Sequence, residues 1–219
     1  MPPSPRTGPA PAQSGSSPLR RRPSQQRSAE RVERMLNACA ELLEEDGYEA
    51  LSTTRIAERA GVAIGSLYQF FPDKRAIAQA LTQRHLDLFT RRLGERFTDA
   101  SFTSWWDAVD AVFDVYVEMH RGTRGFRVLH FGDVVDMHLL DSAADNNTVV
   151  LDRLRDLLVD RLGVAADPDL DRVLAVAIEA GDAALKLAFR ADPDGDPVLL
   201  NEGKLLVHRY LAGHFAAGT

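Results

Sequence analysis

The apolar positions of this chain recur every three to four residues almost from end to end, the spacing of helices that bury one face. Val32, Met35, Leu36, Cys39, Leu42 and Leu43 trace the inner face of a first helix. It starts near Ser28, a good N-cap residue, and stops at Asp46-Gly47. Ser52 to Ala60 predicts a short second helix and Ala63 to Phe71 a third, closed by Pro72. Residues 73–97 predict a long fourth, with Ile77, Leu81, Leu86, Phe89 and Leu93 inward. Five more follow at about 102–121, 124–131, 134–163, 168–190 and 197–216, separated by Gly122, Gly125, Gly132, the 163–168 stretch and the Asp192 to Pro197 run. The 134–163 stretch can break near Asp145-Asn146-Asn147. No strand-like alternation of useful length and no internal repeat interrupts the pattern, so the chain is read as all-α with about nine helices.

Residues 1–27 depart from this pattern. They are rich in Pro, Ser, Gly, Gln and Arg, and Leu19 is their one large aliphatic residue after Met1. So little apolar surface cannot offset the entropy of ordering, which predicts a disordered basic arm. The chain thus divides into an arm (1–27), a first helical unit (28–75) and a larger helical body (76–219). Its 219 residues, 45% hydrophobic and 26% charged, suffice for a real core. The single cysteine, Cys39, excludes an internal disulfide and fits a reducing compartment; on an apolar helix face it reads as a small buried hydrophobe. No apolar run reaches membrane-spanning or signal-peptide length, so neither a membrane nor secretion is expected.

Charge sharpens the division. The net −6 splits unevenly, with 11 basic and 9 acidic residues in 1–75 against 15 and 23 in 76–219. Arg6, Arg20, Arg21, Arg22, Arg27, Arg31 and Arg34 are opposed nearby by Glu30 and Glu33 alone. A basic front on an acidic body points to an anionic partner at the front, or else to a solubilising tail.

The segment Ser52 to Phe71 carries the chemistry. Two helices that cross steeply need a small residue at their contact, a residue tolerant of positive φ at the turn, and apolar anchors on both sides. Ala57, Gly61 and the set Ile56, Ala60, Val62, Leu67 and Phe70 meet those needs. This is the helix-turn-helix pattern. An ordinary αα-corner shares its glycine turn, but here Ala63, Gly65, Ser66 and Gln69 put small and polar groups on the outward face, as a helix entering the major groove requires. Enzyme signatures are absent: there is no P-loop, GxGxxG, HExxH or GxSxG, so no enzyme and no cofactor is expected. His120, His130 and His138 lack the i, i+4 spacing of a helical metal pair, and Asp192 to Pro197 lacks the ligand spacing of a calcium loop.

The run from Gly61 through Ile64, Gly65, Leu67, Tyr68 and Phe71 to Lys74 is similar to the TetR pattern G-V-S-x-G-x-L-Y-x-(H/Y)-F-x-x-K. With it, residues 32–81 resemble the DNA-binding domain of the TetR family of transcriptional regulators. Ala63 departs where Ser is frequent, losing a hydroxyl, and Phe70 where His or Tyr is usual. The resemblance implies phosphate contacts from Thr53, Thr54, Ser66, Tyr68 and Lys74, close helix approach at Gly65, and base-edge contacts from Ile64 and Gln69. The residue chemistry leaves alternatives open: Tyr68 as core, Lys74 as solvated, Gln69 as neutral surface. Arg55 and Arg59 read as surface charges, Phe70 and Phe71 as core.

The resemblance further implies a bacterial cytoplasmic, nucleoid-associated homodimer. It would repress from a palindromic double-stranded DNA operator and be released by a small hydrophobic or aromatic effector. Val173, Ala177, Ala180, Gly181 and Ala184, with Leu206 and Tyr210, offer a small-residue face for a four-helix dimer bundle. Trp106, Phe113, Tyr116, Phe126, His130 and Phe131 offer an aromatic pocket, although aromatics at helical spacing also build cores. Arg20 to Arg22 are expected to add non-specific or minor-groove affinity. The alternative function is a helical interaction module that holds a partner protein and ignores DNA.

Overall fold

A computed structural model describes residues 22–99, 102, 104–131, 146–160, 163–166 and 168–215, and among them the chain forms nine helices. They are α1 (Arg22–Asp46), α2 (Thr53–Ala60), α3 (Ile64–Tyr68), α4 (Lys74–Asp99), α5 (Trp105–Gly122), α6 (Phe126–Phe131), α7 (Asn146–Asp160), α8 (Pro168–Ala191) and α9 (Pro197–Phe215). No helix among the described residues is long and apolar enough to cross a membrane.

The boundaries follow local chemistry. α1 begins at Arg22, six residues ahead of Ser28. Pro23 is tolerated there because a first-turn N–H has no helical partner to lose. The Ser52 hydroxyl caps α2, accepting from the Arg55 N–H at 3.3 Å. Gly61 ends α2 at φ +62°, donating to the Glu58 carbonyl at 3.1 Å. A side chain at that φ would cost about 1–2 kcal/mol, which is why glycine stands at the turn. α3 closes at Tyr68, before the expected Phe71, because the N–H groups of Phe70 and Phe71 both turn back to the Leu67 carbonyl, at 3.0 and 2.9 Å. Asp73 caps α4 through the Ala76 N–H at 2.8 Å. Ser104 and Asp107 form a reciprocal capping box on α5.

Two apolar cores result. In the first, Met35, Cys39, Leu42 and Leu43 of α1 meet Ile56 and Ala57 of α2, Leu67 of α3 and Ile77 and Leu81 of α4. The second gathers Phe89, Leu93 and Phe97 of α4 with the inward faces of α5, α7, α8 and α9. α4 is therefore continuous across residues 75–76 and serves both cores. α6 does the same on a smaller scale, with Phe126 in the second core and Leu129 in the first.

Cys39 is wholly buried, and burial pushes its thiol up to about 12. A thiol that stays protonated is a poor nucleophile.

The tightest packing joins α8 to α9. A Cβ on Gly203 would lie 2.7 Å from the Ala184 Cβ, and one on Gly181 would lie 3.1 Å from the Phe113 ring. The small residues of α8 thus let α9 and α5 of the same chain approach. This corrects part of the expected dimer face: Val173, Ala177 and Gly181 are buried within the protomer. Periodic small residues signal a close helix neighbour without saying which chain supplies it.

Two measurements test this packing. Gly203→Ala should destabilise the protein by about 1–3 kcal/mol, because α9 must shift. Gly94→Ala, in open space on α4, should stabilise it by about 0.5–1 kcal/mol. Both are read from denaturant midpoints at constant slope. The native protein at pH 8 should leave a thiol reagent unconsumed, and the same sample in denaturant should consume one equivalent per chain.

Candidate nucleic-acid interface and internal cavity

The recognition unit is held from behind. Arg34 of α1 donates to the Ala60 carbonyl at the end of α2, at 3.3 Å. Arg59 makes a two-pronged pair with Glu45, at 2.7 and 2.8 Å, and reaches Glu41 at 3.3 Å. The Arg59 hydrogen bond holds the Glu45 carboxyl below its usual range. Arg55 pairs with Asp46 and donates to the Ala50 carbonyl at 3.0 Å. Both arginines are surface charges, and each is already committed to acids at the C-terminal end of α1. These ties link residues 5 to 26 positions apart, and those of Arg34 and Glu45 span 26 and 14, so no local sequence signal marks either.

On α3, Leu67 points fully inward while Ile64 (41% exposed) and Tyr68 (53% exposed) face solvent, with Gly65 and Gln69 beside them. A Cβ on Gly65 would meet no atom of the protein. Nothing inside the chain needs a glycine there. Thr54 is exposed, and the Thr53 hydroxyl hydrogen-bonds the Tyr68 hydroxyl at 3.0 Å. That bond brings the start of α2 and the end of α3 to one spot, and it answers the question left over Tyr68, which is outside the core.

Two expected phosphate contacts are placed differently. The Ser66 hydroxyl is shielded from solvent and has no hydrogen-bond partner among the described residues. Lys74 is half-buried: its Nζ donates to the Tyr48 and Glu49 carbonyls, at 3.2 and 3.4 Å, and lies 4.7 Å from the Tyr48 ring centre. A lysine that caps carbonyls and rests on an aromatic face pins α4 to the loop before α2.

The body contains a cavity of about 40 Å³. Phe113 and Tyr116 line it, with Val109 and Val112 on α5, Leu154 on α7, Ala177, Ile178 and Leu185 on α8, and Val207 and Leu211 on α9. Its walls are aliphatic more than aromatic. Trp106 is elsewhere, against Trp105 and His208. Phe126 is also elsewhere, packed on His85, His120 and Tyr116. The side chains of His130 and Phe131 lie outside the described residues, as do Asp133, His138 and residues 1–21. A search for aromatics over 102–140 finds Phe113 and Tyr116 but not the remaining walls, which come largely from α7, α8 and α9.

The outer face of α8 and α9 exposes Val176, Leu187, Val198 and Leu206, with Ala180, Ala184 and Tyr210 half-buried. Large aliphatic side chains left in water on two packed helices form an apolar strip.

Similar proteins agree with this architecture. Residues 35–81 match the bacterial regulatory proteins of the tetR family, and residues 103–215 match the tetracyclin repressor-like C-terminal domain. A TetR-family transcriptional regulator from Streptomyces coelicolor is 44% identical, with a TM-score of 0.71 over 84% of this chain and 97% of that one. The transcriptional activator FasR of Mycolicibacterium smegmatis is 34% identical over 108 residues, 48% of each chain. The transcriptional repressor KstR of Rhodococcus jostii is 49% identical over 45 residues, 20% of this chain and 21% of that one. The matches thus span half or less of these two curated relatives. The chain belongs to the TetR family of bacterial transcriptional regulators. It is a DNA-binding transcriptional regulator, of a family that is not enzymatic.

Proposed function

We propose that the protein is a homodimeric repressor that grips a two-fold symmetric operator through α3 and releases it when a small apolar effector enlarges the internal cavity. The observation that carries the DNA half is the outward face of α3, where Ile64, Gly65, Tyr68 and Gln69 are exposed around a buried Leu67. Gly65 admits the duplex closely, Gln69 can pair with adenine and Ile64 can touch a thymine methyl. Thr53, Thr54 and Tyr68 offer hydroxyls to the flanking phosphates. Ser66 reaches a phosphate only by changing rotamer, and Lys74 acts through the loop it holds. The exposed strip of Val176, Leu187 and Leu206 supports dimerisation through α8 and α9, with Ala180, Ala184 and Tyr210 at its edge. The similarity to the repressor KstR over 45 residues supports repression.

The cavity is far below the ~300 Å³ or more that small-molecule sites occupy, so an effector enters by parting α5, α7, α8 and α9. Tyr116 lines the cavity and packs on Phe89 of α4, ring centres 4.7 Å apart. Pressure on Tyr116 is thereby delivered to the helix that carries the recognition unit. The effector must bind the parted, DNA-free state better than the closed one.

The test is binding to DNA from immediately upstream of the protein's own coding region, with competitor DNA and a footprint. A two-fold symmetric footprint is expected. Gln69→Ala should cost about 1–3 kcal/mol at one base position and relax specificity there. Tyr68→Phe should weaken all sequences alike. Deleting residues 1–21 should flatten the salt dependence. No binding even at low salt would overturn the reading in favour of a protein-interaction module.

Two variants separate the remaining parts. Leu206→Glu should yield monomers by sedimentation and lose the symmetric footprint. Ala177→Leu, which fills the cavity, should keep DNA binding while abolishing the response to any effector found by screening.

A further inference from the structure

A second hollow lies where the recognition unit meets the body. Between α1, the middle of α4 and the turn from α5 to α6, the surface forms a groove of about 600 Å³. Arg84, Arg91, Arg92 and Arg124 line it, facing Glu41 and Asp87. The size falls within the ~300–1,000 Å³ of small-molecule sites. The chain as a whole carries −6, so four guanidinium groups around one groove run against its overall charge.

The acids there are already engaged. Glu41 accepts from Arg124 at 3.1 Å and from Arg59 at 3.3 Å, and Asp87 accepts from Gln83 at 3.0 Å. Arg84 is occupied with Asn37 at 2.7 Å and Glu33 at 3.0 Å. Arg91 and Arg92 make no hydrogen bond or ion pair among the described residues. Arg124, tied by one contact, keeps 69% of its side chain in solvent. Four guanidinium groups thus share the groove with two carboxylates, Glu41 and Asp87, an excess of positive charge with spare donors on Arg91, Arg92 and Arg124.

We propose that this groove is a binding site for a small anion bearing two or more phosphate groups. Guanidinium forks match phosphate oxygens two by two, which a compact ammonium does not. A monocarboxylate engages one guanidinium fork, whereas a diphosphate or triphosphate presents oxygens to several at once. The phosphates of bound DNA are a poor fit. Arg91 and Arg92 lie 17 and 18 residues along α4 from Lys74, which at ~1.5 Å per residue is about 26 Å from the recognition end. An anion held by Arg91 and Arg92 on one side and Arg124 on the other would strap α4 to the α5–α6 turn. The site is separate from the apolar cavity and does not depend on it.

The experiment is calorimetric titration of the full chain with inorganic triphosphate at constant ionic strength. One saturable site is expected, with Kd of ~1 mM or tighter. The double variant R91Q/R92Q should weaken it at least ~10-fold, while Arg172→Gln, on α8, should leave it within ~2-fold. Equal thermal midpoints for the variants and the parent protein confirm that folding is intact. No saturation by ~10 mM, or an unchanged Kd in R91Q/R92Q, overturns the proposal. Loss of binding on deleting residues 1–21 also overturns it, by placing the anion on the basic arm. A DNA duplex provides the last arm of the test. If it displaces triphosphate, and R91Q/R92Q weakens DNA and triphosphate alike, the groove belongs to the DNA backbone and the proposal fails.

Discussion

One helix belongs to two cores, and most of the molecule's behaviour follows from that. α4 runs for 26 residues, which at ~1.5 Å per residue is about 39 Å. Its first turns put Ile77 and Leu81 among the side chains that shape the recognition unit, and its later turns put Phe89, Leu93 and Phe97 among those of the body. A helix bends little without a proline, an inserted water or a π-bulge, and the α4 sequence contains no proline. Displacing one end therefore moves the other. α6 reinforces the link, since Phe126 and Leu129 reach opposite cores from a helix of six residues. Between them Phe126 rests against His85 of α4 and His120 of α5, with ring centres 5.5 and 4.8 Å away.

The first helical unit, residues 28–75, holds six basic against nine acidic residues, and the cations nearest α3 are already engaged. Arg55 and Arg59 are bound to Asp46, Glu45 and Glu41, and Lys74 to two backbone carbonyls. Pairs this exposed add little stability, typically about 0–1 kcal/mol each. What they do is orient α2 against α1 and consume charge. The groups left exposed on α3 and at the start of α2 are hydroxyls, an amide, an isoleucine and a glycine.

The recognition unit was legible in the sequence because its determinants are local. Gly61 must be glycine for its own φ, Ala57 is a small residue buried on α2, and Leu67 is the buried residue of a five-residue helix. The body was legible only as helices. Val173, Ala177 and Gly181 follow the spacing of a helix interface, and they do form one, but with α5 and α9 of the same chain. Ala180, Ala184 and Leu206, on the same helices, keep some or most of their surface outside. Only three-dimensional neighbours separate those two sets. The cavity was legible only in Phe113 and Tyr116; its aliphatic walls were not, because valine and leucine at helical spacing look alike whether they touch each other or a gap. Lys74 was read as a DNA contact because neither Tyr48 nor Glu49 announces that its carbonyl needs a donor 25 or 26 residues away.

The smallness of the cavity bears on how a ligand could act through α4. A ligand shifts the equilibrium only by the difference in its affinity for the two states, since equal affinity moves neither. A gap of about 40 Å³ admits an effector only by separating helices that are packed on one another. The cost of that separation is what makes the two states differ in affinity. Burying ~200 Å² of apolar ligand surface supplies about 5 kcal/mol, against the roughly 5.5 kcal/mol needed to invert an equilibrium of 1:99. Tyr116 and Phe89 place the yielding wall against the helix shared by both cores. A collapsed, aliphatic cavity beside a stiff shared helix is therefore better suited to switching than an open aromatic pocket at the same position.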